Sequence, residues 1–360
     1  MGLKSFLSFS FKILLWVLSP LSFLYQVLFW IDRRRTKPRK LTNCYVISVG
    51  NLTVGGTGKT PFVQFLIRDL KNHFPDFHFT ILSRGYKARL SLQGALVESN
   101  ASPMDVGDEP LLHKQTFPDV QVIIGSDRFQ SYQTFNQYKS SKHVVILDDG
   151  FQHHKLYRDF EIVLLDANHL LGNGFTLPLG SLRETRQALL RAHAVVFTKW
   201  NEENAEKVDK FESNLDGDFK RIPRYHSKFT PELDAKQESA DMIRSYFLVT
   251  GVGNPESVMK SAKQLLGSKV IAYKYFSDHY SFQEKDMHAI IADLPSSTAL
   301  LLTEKDWVKV SILTNFLNEA KEKRISIFLI KIKLEMEELQ QFNDVIVSRV
   351  SSYVKENALD

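Results

Sequence analysis

Cysteine is almost missing from this chain: Cys44 is the only one among 360 residues. No internal disulfide can form, so a disulfide-stapled fold is excluded and a reducing compartment is implied. No segment repeats at a fixed period and no low-complexity tract interrupts the chain, which removes solenoids and linker-rich architectures. Charge of one sign is also scarce over most of the length. The formal net charge is +5, yet residues 1–40 hold eight Lys or Arg against Asp32 alone, a balance of +7 that leaves −2 for the other 320. Such a body has no basic face to follow a phosphate backbone, so nucleic acid is excluded as a partner. No feature marks a protein partner. Hydrophobic residues at 43% and charged residues at 24% exclude wholesale disorder.

Long apolar runs are limited to one, at 11–31, where Lys12 is the only charge before Asp32 and Arg33-Arg34-Arg35. The run reaches the length of a membrane span, but Pro20, flanked by Ser19 and Ser22, interrupts its middle. A cleaved signal peptide is a poor fit, because no small-residue cleavage site follows and the run ends in three arginines. Myristoylation fails because Phe6 stands where the motif wants Ser or Thr. The reading preferred over a span or a buried core helix is a broken helix lying in or dipping into the inner leaflet. Trp16 and Trp30 would then lie near the interface and the arginines on anionic headgroups.

From residue 44 onward, short apolar runs alternate with helical stretches, the pattern of an α/β protein with a mostly parallel sheet. Ten strands are expected, at 44–49, 77–82, 120–124, 143–147, 160–165, 194–197, 246–250, 269–275, 299–303 and 325–330. The polar stretch 201–239, with Pro223 and Pro231, divides them six and four. The expected architecture is a P-loop NTPase-type, mostly parallel sheet flanked by helices, with a smaller second α/β domain and an N-terminal membrane-associated helix. The segments are 1–36, a first α/β domain at 37–230, and a smaller C-terminal α/β domain at 231–360.

The strongest chemical signal follows the first strand: Gly50-Asn51-Leu52-Thr53-Val54-Gly55-Gly56-Thr57-Gly58-Lys59-Thr60-Pro61. A strand, a glycine-rich loop, Gly-Lys-Thr and an apolar-periodic helix form the setting of a phosphate-binding loop. Residues 53–60 would wrap the phosphates with backbone N–H groups at a helix N-terminus, Lys59 would neutralise β/γ-phosphate charge, and the Thr60 hydroxyl would ligate Mg²⁺. Thr53 stands where the generic motif has glycine. Four apolar residues ending in Asp148-Asp149 supply the carboxylates that a magnesium site needs; either could be the inner ligand, with Asp148 favoured because it ends the run directly. A guanine reader is missing, since Thr198-Lys199-Trp200-Asn201 lacks the required Asn and Asp, so ATP is the expected nucleotide. Asp108, on a loop before a helix near Pro110, suits either proton transfer or helix capping.

Together with Ser83-Arg84-Gly85-Tyr86, Gly107-Asp108-Glu109-Pro110, Asp148-Asp149-Gly150-Phe151-Gln152-His153, Leu182-Arg183-Glu184 and Asp278-His279-Tyr280, this loop resembles the tetraacyldisaccharide 4′-kinases, the lipid A 4′-kinases of Gram-negative bacteria. The resemblance runs from the N-terminal segment to at least Lys305, and the loop with Thr53 is itself that family's form. It implies ATP- and Mg²⁺-dependent phosphorylation of the 4′-hydroxyl of tetraacyldisaccharide 1-phosphate to lipid IVA, at the cytoplasmic face of the inner membrane. It also implies that Asp108 is catalytic and that His279 orients or tunes it across an interdomain cleft. Thr185 departs from the family's usual Pro after Leu-Arg-Glu.

Further candidates are Glu184 in the magnesium sphere, Arg183 and Arg128 on phosphate or substrate, and Tyr86 stacking on the disaccharide. A surface role competes for Arg128, helix-end roles for Glu184 and Arg183, and a half-buried place at a strand end for Tyr86. His153 and His154 lack the spacing of a zinc site. The turn 250–255 and the strand end at Thr303-Glu304-Lys305-Asp306 suit either the nucleotide-base side or helix capping. Two rivals stand beside the lipid kinase: a membrane-tethered P-loop switch or metallochaperone, which would leave Asp108 and His279 idle, and a soluble small-molecule kinase whose N-terminus binds a partner.

Overall fold

A computed structural model describes residues 3–237, 242–295 and 297–357, with side chains from Leu18 onward, so the side chains of Lys12 and Trp16 lie outside the described part. Twelve strands run in chain order as β1 (Tyr45–Asn51), β2 (His78–Ser83), β3 (Ala95–Leu96), β4 (Gln121–Ile124), β5 (His143–Asp148), β6 (Phe160–Asp166), β7 (Ala194–Thr198), β8 (Arg224–Gln237), β9 (Ser245–Thr250), β10 (Val270–Tyr275), β11 (Thr298–Thr303) and β12 (Ile327–Met336). The helices are α1 (Leu3–Arg35), α2 (Lys59–His73), α3 (Pro103–Val106), α4 (Asp108–Thr116), α5 (Arg128–Phe135), α6 (Glu202–Ser213), α7 (Pro255–Leu266), α8 (Glu284–Ala292), α9 (Glu304–Val310), α10 (Thr314–Glu322) and α11 (Leu339–Asn357). All ten anticipated strands form, at most two residues from the expected start and with a longer last strand. The structure is the mixed α/β fold, with a mostly parallel sheet flanked by helices, that the alternation implies.

Two compact units divide the chain. Unit 1 contains Met1–Ser83, Arg128–Lys228 and Met336–Asp360; unit 2 contains Arg84–Asp127 and Phe229–Glu335. The break after Lys228 lies close to the expected one, but 84–127 groups with the second unit and the C-terminal helix with the first. In unit 1 the strand order is β8–β7–β6–β1–β5–β2, all parallel. Its central strands are buried from end to end, which is why they read as continuous apolar runs instead of alternating ones. Phe151, Leu52 and Phe197 are fully buried there, and burying a side chain of that size contributes ~1.5–3 kcal/mol.

In unit 2 the order is β10–β9–β11–β12–β8, with β10 through β12 parallel, and β3 and β4 pair antiparallel. Its core forms around Val249, Leu300, Leu302 and Phe316. Strand β8 corrects one expectation: part of the stretch read as a polar divider is a 14-residue strand. Its start pairs with Val195–Phe197 while Tyr225 and Ser227 are buried, an alternation that a count of apolar residues misses.

Helix α1 is likewise continuous, with Pro20 inside it. A proline removes one hydrogen bond and strains one turn, at ~3 kcal/mol, and tertiary contacts of unit 1 offset this. Ser22 Oγ donates to the Thr176 carbonyl at 3.0 Å, Gln26 Nε2 to Thr176 Oγ1 at 2.9 Å, and Tyr25 Oη to the Arg183 carbonyl at 2.9 Å. Leu21, Phe23, Leu24, Leu28 and Trp30 are exposed. No described helix is long and apolar enough to cross a membrane.

Candidate active site

The phosphate-loop cluster is built within unit 1. Strand β1 ends in Gly50-Asn51, and a Cβ at Gly50 would lie 2.6 Å from both Cβ and N of Phe151, so glycine here is what lets the loop after β5 approach the loop after β1. Gly58 caps α2 at φ 81°, a left-handed conformation that other residues adopt at a cost. Thr53 is bridged antiparallel to Leu182, with Val54 N donating to the Ser181 carbonyl and Arg183 N to the Leu52 carbonyl, each at 2.8 Å. Extended pairing needs no positive φ, which explains why threonine serves where the generic motif has glycine. The other half of the loop is held through its carbonyls: Thr198 Oγ1 donates to Thr57 O at 2.8 Å, and Lys199 Nζ to Gly56 O at 2.6 Å. Lys199 also pairs with Asp166 Oδ2 at 2.6 Å.

Lys59 Nζ lies 3.5 Å from Asp149 Oδ1, and Arg183 reaches the two oxygens of that carboxylate at 3.2 and 3.3 Å. Burial raises the Asp149 carboxyl, but the charges of Lys59, Arg183 and Arg128 outweigh it and hold the group below the usual carboxylate range. Asp149 sits at φ 49°, so adjacent aspartates leave the strand in different directions. Asp148, 3% exposed at the end of β5, accepts from Ser83 Oγ at 3.3 Å. Arg128 is not a surface group: it is 3% exposed and donates to the Asp148 and Asp149 carbonyls at 2.9 and 3.3 Å. It therefore supports the acidic pair from behind. Glu184 accepts from Arg191 on both oxygens, at 2.8 and 2.9 Å, and from Gln152 at 3.2 Å. Those bonds occupy the carboxylate that the sequence suggested for magnesium. Among the described residues no group of three His, Cys, Asp or Glu gathers as a metal site. Thr60 with Asp148 and Asp149 is a set of hard oxygen donors, the chemistry Mg²⁺ prefers.

The second cluster lies within unit 2. Gly107 (φ 91°) is the N-cap of α4 and Asp108 its first residue, with no capping bond from a side chain, so the capping role falls away. Asp108 Oδ2 instead lies 3.2 Å from His279 Nδ1. Both belong to one unit, so no interdomain movement is needed to form the pair. His279 is held at φ 61° with its N–H on the Gly251 carbonyl at 3.2 Å, and a Cβ at Gly253 would meet Asp278 Oδ2 at 3.0 Å. The glycine turn after β9 thus supports the histidine loop, while Asn254 caps α7. Tyr86 is 62% exposed with its ring 5.8 Å from that of His279. Lys305 pairs with Glu109 at 3.0 Å. Lys309 Nζ lies 3.8 Å from Asp108 Oδ2 and 3.4 Å from Asp306 Oδ1. Burial pushes the Asp108 carboxyl up, but the His279 hydrogen bond and the Lys309 and Lys305 charges more than reverse this.

A profile of the family described as tetraacyldisaccharide-1-P 4′-kinase matches residues 14–351. The chain belongs to that family. A tetraacyldisaccharide 4′-kinase of Leptospira biflexa is 45% identical, over 94% of this chain and 96% of that one. Another, from Syntrophobacter fumaroxidans, is 36% identical over 80% and 78%. A crystal structure of LpxK from Aquifex aeolicus in complex with ATP superposes with a TM-score of 0.70 at 30% identity, covering 93% of this chain and 98% of that one. This member of the tetraacyldisaccharide 4′-kinase family is a kinase, a phosphotransferase of lipid A biosynthesis.

For this kinase, the residues expected from the sequence lie in both clusters, but several of their supports were missed. Arg191 on Glu184, the Lys199–Asp166 pair under the loop and Lys309 behind Asp108 were not anticipated. Signals existed: Asp166 ends an apolar strand just as Asp148 does, and Thr303, Asp306 and Lys309 recur at a spacing of three on one short helix.

Proposed function

We propose that the chain transfers the γ-phosphate of ATP to the 4′-hydroxyl of tetraacyldisaccharide 1-phosphate, with residues 53–60 holding the triphosphate and Asp108 accepting the hydroxyl proton. The observation that carries this reading is a Gly-Lys-Thr loop whose Lys59 lies 3.5 Å from Asp149, just past the end of the buried strand β5. Lys59 orients and neutralises the β/γ oxygens, and residues 53–58 offer backbone N–H groups at the start of α2. Thr60, Asp148 and Asp149 would hold Mg²⁺, which supplies charge neutralisation on the transferring phosphoryl group. Arg183 shares Asp149 with Lys59 and so sets where that carboxylate points. An aspartate is a weak base for an alcohol, so Asp108 takes the proton late, as the hydroxyl acidifies. His279 orients it through Oδ2, and Tyr86, exposed beside His279, would stack on a sugar ring.

We propose further that the chain associates with the membrane at its cytoplasmic face, a reading that α1 supports. One side of it is tied down by Ser22, Tyr25 and Gln26, while Phe23, Leu24, Leu28 and Trp30 remain exposed ahead of Arg33-Arg34-Arg35. That arrangement suits a helix lying on an anionic surface. Incubation with labelled ATP and the tetraacyl disaccharide 1-phosphate should yield a bisphosphorylated lipid. Nucleotide hydrolysis that ignores the lipid would instead support the membrane-tethered switch.

A further inference from the structure

The acidic residue of unit 2 has a neighbour that proton transfer does not require. Lys309 is 5% exposed, and its Nζ makes no hydrogen bond. It lies between two carboxylates, 3.4 Å from Asp306 and 3.8 Å from Asp108, with the Phe282 ring 5.2 Å away. Burying an ammonium is costly unless charge compensates it. Asp306 provides that compensation and is itself immobilised: fully buried, it accepts from Thr250 Oγ1 and Thr303 Oγ1 at 2.7 Å each and from Gly251 N at 3.1 Å. Lys309 and Asp306 are one turn apart on α9, so the cation's place is set by a frame that does not include Asp108.

We propose that Lys309 is a positioning residue for phosphoryl transfer: braced by Asp306, its ammonium acts with His279 on Oδ2 of Asp108, fixes that carboxylate's orientation and leaves Oδ1 to the attacking hydroxyl. The inference rests on Asp108 as proton acceptor. Two contacts on the same oxygen from different elements, one from the loop after β10 and one from α9, determine a rotamer better than either alone. His279, Lys309 and Lys305 act on Asp108 as cations or donors, while Glu109 and Asp278 act on Lys305 and Asp306 on Lys309 as anions. Removing Lys309 shifts that balance towards the anions, so the Asp108 carboxyl rises and its active, ionised form is lost at a higher pH.

The test is a double-variant cycle in single-turnover phosphate transfer on the intact chain, with thermal unfolding as a folding control. Lys309→Gln should lower kcat about 10- to 100-fold, the scale of a loosened reacting group. The KM for ATP should change little, and the acid limb of the kcat profile should move to higher pH. In an Asp108→Asn background, the same substitution should cost nothing further. Lys309→Met keeps the stem beside Phe282 and serves the same cycle if the glutamine variant unfolds. Wild-type kcat in a folded Lys309 variant, or losses that multiply in the cycle, would overturn the proposal. Unchanged kcat in Asp108→Asn alone would instead overturn the proton-acceptor reading beneath it.

Discussion

The two clusters of this kinase are built in opposite ways. The phosphate loop is local: residues 50–60 contain its lysine, its hydroxyl and its glycines, and distant residues such as Thr198 and Lys199 only brace carbonyls. The Asp108 cluster is assembled from the start of α4, the loop after β10 and helix α9, three stretches far apart in the sequence. A local site exposes its chemistry in a motif. A dispersed one exposes it only through the hydrogen bonds and charges that the fold collects around a single carboxylate.

The comparison predicts unequal sensitivity. The largest effect belongs to the phosphate loop and the strand end beside it: Lys59→Ala or Asp148→Ala should reduce phosphate transfer by ~10³-fold or more, because phosphoryl transfer depends almost wholly on positioned charge. Near-normal turnover by either folded variant would remove the nucleotide assignment.

In the dispersed cluster, Asp108→Ala should lower kcat about 10²- to 10⁴-fold with ATP affinity nearly unchanged. His279→Ala should cost less, and the double variant should lose much less than the product, since the residues act as a unit. The sign of the pH effect follows from the depressed Asp108 carboxyl: activity persists above its folded value and fails as pH falls through it. Without His279 the main cause of that depression is gone, so the acid limb should appear at higher pH. A limb that does not move would show that the histidine does not act through Asp108.

A smaller effect separates structural from chemical carboxylates. Arg191→Ala leaves the nearly buried Glu184 with Gln152 alone, and breaking such a pair costs about 3 kcal/mol. Thermal unfolding should register that loss, and an unchanged midpoint would return Glu184 to the metal-ligand role. Smallest of all, replacing Arg33, Arg34 and Arg35 with Ala should remove ~1 kcal/mol per charge from binding to anionic vesicles and reduce its salt sensitivity. Release of the wild-type protein by high salt alone would mean that the exposed apolar side of α1 does not insert.

Sequence by itself determined the strand positions, because parallel strands buried on both faces must be apolar throughout, and it determined the loop motif, because one short segment carries its glycines, Lys59 and Thr60. It misjudged β8, whose half-polar residues are stabilised by pairing with β7, and Pro20, whose break is bridged by contacts from Ser22, Tyr25 and Gln26. Only the tertiary structure decided that Asp108 meets His279 and Lys309 instead of capping its helix, that Arg128 holds backbone carbonyls, and that Glu184 belongs to Arg191. The physical reason is the same in each case: a charged side chain has no fixed role until folding decides which opposite charge or hydrogen-bond partner is within ~4 Å of it, where such interactions outweigh solvent screening.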